Sequence, residues 1–308
     1  MSAEPNIAAR SILASLSDEL ANAVERAAAA VVTVNARRRM PASGIVWGAD
    51  GLIVTANHVV ERDEEITVAL PDGRTVPATL AGRDPGTDLA LLRAQAGGLE
   101  PAPRSGVAPR VGHLTLAVGR PGPSGPMASF GAITTVGGPW RTQTGATVDG
   151  YVRADVAMLP GFSGGPLVDG EGGVIGLNSS TLGRGGGLTV PNGAIDAVVA
   201  ALLSDGRIRR GYLGIGTQQV RLPDGQANAL GLESPVALLV VQVEPGSPAD
   251  RDGLLLGDAI VAIDGASVTS VEQLQDALAG DKVGRASAIR VIRGGEPREV
   301  AVTIGERG

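Results

Sequence analysis

Ser163 lies in the segment PGFSGGPL, which has the residue types that a nucleophilic serine requires. Such a serine needs a hydroxyl that a neighbouring base can reach, and backbone N–H groups that converge where an oxyanion develops. The glycines on both sides of Ser163 permit the tight backbone of a concave loop. The segment therefore predicts a nucleophile loop, although GxSGG alone is also compatible with an ordinary turn.

His58 and Asp88 supply the other two groups that an activated serine needs. His58 follows the apolar strand sequence LIV, so its imidazole has a defined position and can act as a general base. Asp88 precedes the apolar run LALL, where a partly buried carboxylate must be hydrogen-bonded. An imidazole N–H would satisfy that carboxylate and fix the histidine tautomer. Taken singly, His58 is compatible with a structural role and Asp88 with a turn; together with Ser163 they predict a catalytic triad.

The order of these residues along the chain distinguishes between unrelated triad folds. His58 precedes Asp88, which precedes Ser163, and this is the order of chymotrypsin-like proteases. His113 offers an alternative base, because it lies between Asp88 and Ser163 and would give the subtilisin order. Its surroundings, VGHLTLAVG, alternate like a strand, where a surface or edge position is expected. The arrangement with His58 is therefore favoured.

Five segments together resemble the HtrA (DegP/DegQ/DegS-like) family of serine proteases. They are DGLIVT, TANHVV, DPGTDLALL, PGFSGGPLVDGEGGVIGLN and NGAIDAVVAALLSDGRIRRGYLGI, and the resemblance extends from about Leu16 to Ile304. It implies that His58 is the general base, that Asp88 orients His58, and that Ser163 attacks a peptide carbonyl.

The resemblance also implies roles for residues around the nucleophile. The N–H groups of Gly161 and Ser163 would form the oxyanion hole, and Ala157 would lie near the floor of the primary specificity pocket. Because Ala157 is apolar and no Asp or Glu occupies its position, cleavage after small or medium apolar residues is expected. The mechanism requires neither a metal ion nor an organic cofactor.

Two positions in the nucleophile loop differ from the family pattern. Phe162 stands where Asn or Asp is usual, and Leu159 stands where Asn is usual. Both changes add apolar bulk to the loop that must form the oxyanion hole. One interpretation is local repacking; the other is a loop that rests inactive and switches on binding. Losing one oxyanion donor costs roughly 10²–10³ in rate.

The elements that position these residues are predicted to be mostly strands. From about residue 42 to residue 190, short apolar runs alternate with turns, and hairpins are expected at Asp50-Gly51, at Asp72-Gly73 and near Asp169 to Gly173. Even spacing of strands without interleaved helices favours a barrel or a sandwich. The family resemblance makes this a chymotrypsin-like double β-barrel.

Helical patterns flank the strand-rich region. One is predicted from Ser17, as its N-cap, to about Ala30, and another from Asn192 to Ser204, with its apolar face on Ile195, Val198, Val199 and Leu202. A linker is expected between Ser204 and Arg210. The predicted domains are an N-terminal arm and helix (1–40), a chymotrypsin-like protease domain (41–205) and an α+β domain (206–308).

The C-terminal hundred residues resemble a PDZ domain. RGYLGI is similar to a PDZ carboxylate-binding loop, and SVEQLQDALAG to the pocket helix, with Ser270 as its cap and Gly280 as its stop. A peptide C-terminus would add as a strand while loop N–H groups hold its carboxylate. Each apolar residue of the pocket is also compatible with an ordinary core position. The predicted peptide-binding residues are Tyr212, Leu213, Gly214, Ile215, Leu274 and Leu278.

Composition excludes several other classes of site. There is no cysteine and there are only two histidines, so disulfides, thiolate metal sites and a cysteine nucleophile are excluded and a multi-histidine metal site is not expected. A net charge of −6 argues against nucleic-acid binding. No apolar stretch reaches the roughly 20 residues that span a bilayer.

Location and assembly are two further expectations. The N-terminus as given shows no export signal, which favours the cytoplasm; if a signal was removed, a periplasmic or other extracytoplasmic location is expected. The family often forms trimers through an aromatic-bearing N-terminal segment. Residues 1–40 contain no aromatic residue, so a homo-oligomer, possible by resemblance, stays open.

Two functions of different classes remain. The first is an ATP-independent serine endopeptidase that hydrolyses unfolded or damaged proteins in protein quality control and recognises peptide C-termini through its PDZ domain. The second is a catalytically silent peptide-binding or holdase protein that uses the protease fold as a scaffold. Phe162 and Leu159 motivate the second, whereas the complete set of triad residues favours the first.

Overall fold

The computed structural model describes residues 11–38, 40–142, 146–183, 187–206, 211–278 and 282–306. The chain forms two compact units, Met1–Ile208 and Arg209–Gly308. Two positions named from the sequence, Arg210 and Gly280, lie outside the described residues. Within the described residues, no helix has the length and apolar character needed to cross a membrane.

The first unit begins with helix α1, Ile12–Ala28. The sequence-based prediction that Ser17 caps this helix is wrong. Ser11 is the cap, because its hydroxyl accepts the N–H of Ala14, and Ser17 lies inside the helix. Small side chains near the C-terminal end, such as Ala23 and Ala27, are buried and let the helix approach the barrels closely.

Six antiparallel strands close the first barrel in the order β1-β2-β3-β6-β5-β4. Val, Ile and Leu dominate their buried positions, as expected for β-branched and aliphatic residues in strands packed on a core. The hairpins predicted at Asp50-Gly51 and Asp72-Gly73 join β2 to β3 and β4 to β5. The strands are β1 (Val31–Asn35), β2 (Ala42–Val46), β3 (Leu52–Ala56), β4 (Ile66–Ala69), β5 (Thr75–Asp84) and β6 (Leu89–Ala94).

A second six-stranded barrel follows, in the order β11-β14-β13-β12-β7-β8, with β9 and β10 as a separate two-stranded ribbon. The predicted turn near Asp169 to Gly173 joins β12 to β13. The strands are β7 (Leu114–Gly119), β8 (Met127–Gly137), β9 (Trp140–Arg141), β10 (Thr147–Val148), β11 (Tyr151–Ala154), β12 (Pro166–Val168), β13 (Val174–Ser179) and β14 (Leu188–Pro191). Two closed six-stranded barrels confirm the predicted mostly β, double-barrel fold class.

Helix α2, Asn192–Asp205, ends the first unit. All four residues of its predicted apolar face are buried in the core cluster that contains the barrel strands. Gly206 terminates it with φ 71°, a left-handed conformation that glycine adopts without steric cost.

The second unit is an α+β domain built on one sheet, in the order β16-β17-β18-β20-β21 with β19 paired to β18; β15 and β22 form a separate pair. Ser270 caps α5 as predicted. The elements are β15 (Gly211–Tyr212), β16 (Ile215–Arg221), α3 (Asp224–Ala229), β17 (Val236–Val243), α4 (Pro248–Asp252), β18 (Ala259–Ile263), β19 (Ala266–Ser267), α5 (Val271–Ala277), β20 (Ala286–Arg293), β21 (Glu296–Thr303) and β22 (Gly305–Glu306).

Candidate active site

His58 and Asp88 meet because neighbouring strands of the first barrel carry them. His58 lies in a short 3₁₀ turn directly after β3, and Asp88 directly precedes β6, which pairs with β3. The ring Nδ1 lies 2.7 Å from Asp88 Oδ2, and the backbone N–H of His58 donates to Oδ1 at 2.8 Å. Because a carboxylate only accepts, Nδ1 carries the proton and Nε2 is directed away from Asp88.

Asp88 is a buried carboxylate held by several donors. Burial would raise the pKa of Asp88, but the hydrogen bond and charge of His58 and the hydroxyl of Ser179 outweigh it, so the pKa lies below its ordinary value. Ser179 Oγ and Thr181 Oγ1 donate to Oδ2 at 2.5 and 3.0 Å. The carboxylate is therefore ionised at neutral pH and can stabilise a positively charged imidazole.

The backbone of Asp88 is itself unusual. Its φ of 56° is in the left-handed region, which few residues other than glycine, asparagine and aspartate adopt. The N–H of Asn57 donates to the Asp88 carbonyl at 2.9 Å, and this bond helps to hold the conformation. A strained backbone conformation persists only where the surrounding structure holds it in place. Such residues are often found at functional sites.

Ser163 comes from the second barrel, in the loop between β11 and β12. Its hydroxyl donates to Ser180 Oγ at 2.9 Å, and the Ser180 N–H lies 3.3 Å from Ser163 Oγ. Ser180 Oγ in turn lies 3.5 Å from His58 Nε2. The three residues predicted from the sequence are thus in one cluster, with the Ser180 hydroxyl between the serine and the imidazole.

Ser180 was missed by the sequence-based reasoning. It follows β13 in the run Ser179-Ser180-Thr181, where three successive hydroxyl residues end an apolar strand. That run was the available signal, because polar side chains directly after a buried strand need partners.

In the loop around Ser163, two N–H groups form no backbone hydrogen bond to another described residue. Phe162 N–H donates to the Leu159 carbonyl at 3.0 Å, and Gly164 N–H donates to the Asn178 carbonyl at 2.8 Å. Among the described residues, no carbonyl accepts a hydrogen bond from the N–H of Gly161 or Ser163. These two donors are available to a bound group.

Phe162 is directed into the second barrel. Its side chain is completely buried, and Leu159 packs partly buried against the same cluster. The chain makes room for the ring at Gly119, where a Cβ would lie only 2.7 Å from Phe162 Cδ1. The Phe162 ring thus attaches the loop to the core of the second barrel. This packing agrees with the first of the two interpretations, a local repacking of the loop. The cluster contains Ala117, Ile133, Val152, Phe162, Leu167 and Ile175.

Ala157 and His113 form hydrogen bonds with residues other than the triad residues. Ala157 is exposed, and its carbonyl accepts hydrogen bonds from Ser129 Oγ and the Leu159 N–H at 2.8 and 3.0 Å. His113 Nε2 accepts from Arg110 Nε at 3.0 Å. Across the described part of the chain, no hydrogen bond joins His113 to the triad residues, and no group of three or more metal-ligating side chains is present.

The C-terminal unit brings the predicted peptide-binding residues close together. Leu213, Leu274 and Leu278 are buried in one cluster, against which Ile215 packs. Tyr212 donates its hydroxyl to Glu244. Gly214 has a φ of 80°, and β16, which begins at Ile215, is an edge strand of the sheet. A loop with an unusual backbone therefore leads into a strand edge that an extended peptide can pair with.

Two family models match the chain. Residues 42–177 match a trypsin-like peptidase domain, and residues 211–304 match a PDZ domain. The curated relatives include the "Probable periplasmic serine endoprotease DegP-like" proteins of Ectopseudomonas mendocina and Halomonas elongata, both 36 % identical over 270 and 276 residues. These alignments cover 85 % and 87 % of the chain but only 56 % and 57 % of the relatives. The chain thus spans little more than half the length of these relatives.

Solved structures cover the whole architecture. An HtrA-type protease, AlgW, solved with a decapeptide, is 30 % identical with a TM-score of 0.73, over 94 % of this chain and 99 % of that one. The serine endoprotease from Yersinia pestis is 30 % identical with a TM-score of 0.76, over 94 % and 98 %.

We expect Gly119→Ala to destabilise the first unit, because the added methyl group would overlap the Phe162 ring. Overpacking of this kind costs about 1–3 kcal/mol of the free energy of unfolding, which urea denaturation measures. Gly122→Ala is the matched control, since a Cβ there meets no atom within 4 Å. Equal stability of the two variants would show that the ring does not require Gly119.

We expect Ser180→Ala to accelerate labelling of Ser163 by a fluorophosphonate. Removing the Ser180 hydroxyl frees Ser163 Oγ from a competing hydrogen bond, and one such bond corresponds to roughly a two- to tenfold change in rate. Ser105→Ala, which removes a hydroxyl from an exposed local turn, should change nothing. A large decrease in Ser180→Ala would mean instead that this hydroxyl passes the proton to His58.

Proposed function

The chain belongs to the HtrA/DegP-like family of trypsin-like serine proteases, and from this premise we propose that it is an ATP-independent serine endopeptidase acting on unfolded or damaged proteins. The observation that carries the proposal is the His58–Asp88 pair, 2.7 Å apart, with Ser163 one hydroxyl away from the imidazole. A buried, ionised carboxylate behind an imidazole is the group that stabilises the charge formed when a serine is deprotonated.

In the proposed mechanism, the Ser163 hydroxyl exchanges its hydrogen bond to Ser180 for one to His58 Nε2, and Ser163 Oγ attacks the carbonyl carbon of the peptide bond while His58 Nε2 takes its proton. The carbonyl π electrons move to the oxygen, which receives hydrogen bonds from the N–H groups of Gly161 and Ser163. The C–N bond then breaks, and His58 gives its proton to the leaving amine. Water, deprotonated by His58, hydrolyses the acyl-enzyme by the same steps and regenerates Ser163. Asp88 stays ionised throughout and stabilises the imidazolium.

We propose that cleavage follows small or medium apolar residues. Ala157 carries no charge, and Asp155, an acidic residue close to it in sequence, is engaged with the N–H of Ala132 at 2.5 Å. Position 157 itself therefore offers no carboxylate to a lysine or arginine side chain, whereas apolar groups need only shape and contact.

We propose that the C-terminal unit binds peptide C-termini through Tyr212 to Ile215, with Leu274 and Leu278 behind the pocket. The edge position of β16 supports strand addition. AlgW structures, solved with decapeptide and tripeptide ligands, supply precedent within the family.

We propose a periplasmic or other extracytoplasmic location, supported by the names of the curated relatives.

We also propose the domain boundaries 41–205 and 206–308, which enclose the two family matches. We also propose a homo-oligomer, on the resemblance to the family alone.

We expect Ser163→Ala to abolish cleavage of casein, lowering the rate by more than about 10³-fold, because no other group can form the acyl-enzyme. Release of acid-soluble fragments and fluorophosphonate labelling measure this in parallel. Ser204→Ala, which removes a surface hydroxyl on α2, is the control. Equal, negligible activity in wild type and Ser163→Ala would support the catalytically silent alternative.

We expect the Ser163→Ala protein to bind an apolar peptide with a free C-terminal carboxylate at least about tenfold more tightly than the same peptide with a C-terminal amide. A carboxylate accepts stronger hydrogen bonds from backbone N–H groups than an amide does. Fluorescence anisotropy measures both affinities, and the inactive variant prevents cleavage. Identical affinities would exclude recognition of the terminus.

A further inference from the structure

Ser43 is a completely buried residue on β2 whose polar groups face the nucleophile loop. Its Oγ–H donates to the Gly161 carbonyl at 2.7 Å, and its backbone N–H donates to the Ser163 carbonyl at 3.2 Å. The hydroxyl also accepts the N–H of Arg120 at 2.8 Å. One first-barrel residue thus forms hydrogen bonds with three residues of the second barrel.

These bonds fix the peptide planes on both sides of the Ser163 N–H. Holding the Gly161 carbonyl fixes the plane that carries the Phe162 N–H, and holding the Ser163 carbonyl fixes the plane that carries the Gly164 N–H. Both of those N–H groups donate to loop or strand carbonyls in the opposite direction. The Phe162–Ser163 peptide lies between two fixed planes, and its own carbonyl, that of Phe162, accepts the N–H of Gly165 at 2.9 Å. Its N–H therefore has little freedom to turn.

The contact between β2 and the loop is unusually close. A Cβ at Gly164 would lie 2.1 Å from the Ser43 carbonyl oxygen, and one at Gly165 would lie 3.2 Å from Ser43 Cβ. Gly164 has a φ of 86°. Glycine is required at position 164 both by the space and by the backbone conformation, so the loop can reach the Ser43 side chain directly.

We propose that Ser43 is a positioning residue for the oxyanion hole: its hydrogen bonds to the Gly161 and Ser163 carbonyls hold the peptide planes that adjoin those carrying the Gly161 and Ser163 N–H groups. This inference rests on the proposed endopeptidase function. Without the Ser43 hydroxyl, the Gly161 carbonyl loses its hydrogen-bond donor, and the Gly161–Phe162 peptide plane can rotate. A misplacement of about 1 Å in such a site costs on the order of 10² in rate.

Thr33 provides a matched control for a structural role alone. Its buried hydroxyl donates to the carbonyl of Arg120 at 2.7 Å. Ser43 accepts the N–H of the same Arg120. In the hydrogen bonds of the described residues, Thr33 does not contact the nucleophile loop. Loss of either hydroxyl leaves a buried polar group at Arg120 unpaired, but only loss of the Ser43 hydroxyl reaches the oxyanion hole.

The experiment compares Ser43→Ala with Thr33→Val in the full chain, using an apolar peptide ester substrate and a peptide boronate that forms a tetrahedral adduct. For Ser43→Ala we expect kcat to fall about 10- to 100-fold with KM within about twofold, and the boronate Ki to rise in proportion to the loss of kcat/KM. For Thr33→Val we expect kcat and Ki within about twofold of wild type, although its Tm falls. Ser43→Cys, with a weaker thiol donor, should give an intermediate kcat.

Three outcomes are decisive. If Ser43→Ala and Thr33→Val lose kcat equally at temperatures where both are folded, the positioning role is wrong. If Ser43→Ala does not fold, a Ser43→Cys variant as fast as wild type overturns the role as well. A wild-type protein that neither hydrolyses the ester nor binds the boronate contradicts the proposed function itself, which is a different result from a failure at Ser43.

Discussion

The burial of the Asp88 carboxylate is the constraint on which the site depends. A buried charge without partners is expensive, and the chain supplies the His58 ring, the His58 N–H and two hydroxyls to the two carboxylate oxygens. Satisfying this charge determines the histidine tautomer, while the Asn57 N–H bond to the Asp88 carbonyl helps to hold the left-handed backbone. The geometry of the base is thus a consequence of the electrostatics of a buried group.

The two barrels divide the site between them. The first carries the imidazole and the carboxylate, and the second carries Ser163 and the loop N–H groups. Each barrel is closed by its own hydrogen bonds, so neither barrel determines the distance between Ser163 and His58 alone. That distance depends on contacts across the boundary: the bonds from Ser179 and Thr181 to Asp88, and the Ser43 bonds to the nucleophile loop.

The sequence predicted that His58, Asp88 and Ser163 come together, and it predicted the hairpins and α2, because each leaves a signal in residue type, turn chemistry or periodicity. The start of α1 was wrong because Ser11 and Ser17 are both acceptable caps, and only the Ala14 N–H bond distinguishes them. Ser43 and Ser180 were not predicted because their roles lie in distant contacts: Ser43 and Gly161 are 118 positions apart. The hydroxyl run at Ser179-Ser180-Thr181 signals that partners are needed, but nothing local in a serine identifies which residue that partner is.

Phe162 shows how two kinds of interaction complement each other in one loop. Its buried ring attaches the loop to the second barrel, but hydrophobic packing is non-directional and fixes depth better than rotation. Hydrogen bonds depend strongly on angle, and those from Ser43 fix the rotation of the adjoining peptide planes from the other side. An apolar residue at position 162 is therefore compatible with a well-ordered loop, because backbone bonds such as Gly165 N–H to the Phe162 carbonyl, together with the bonds from Ser43, orient the loop without a polar group at 162.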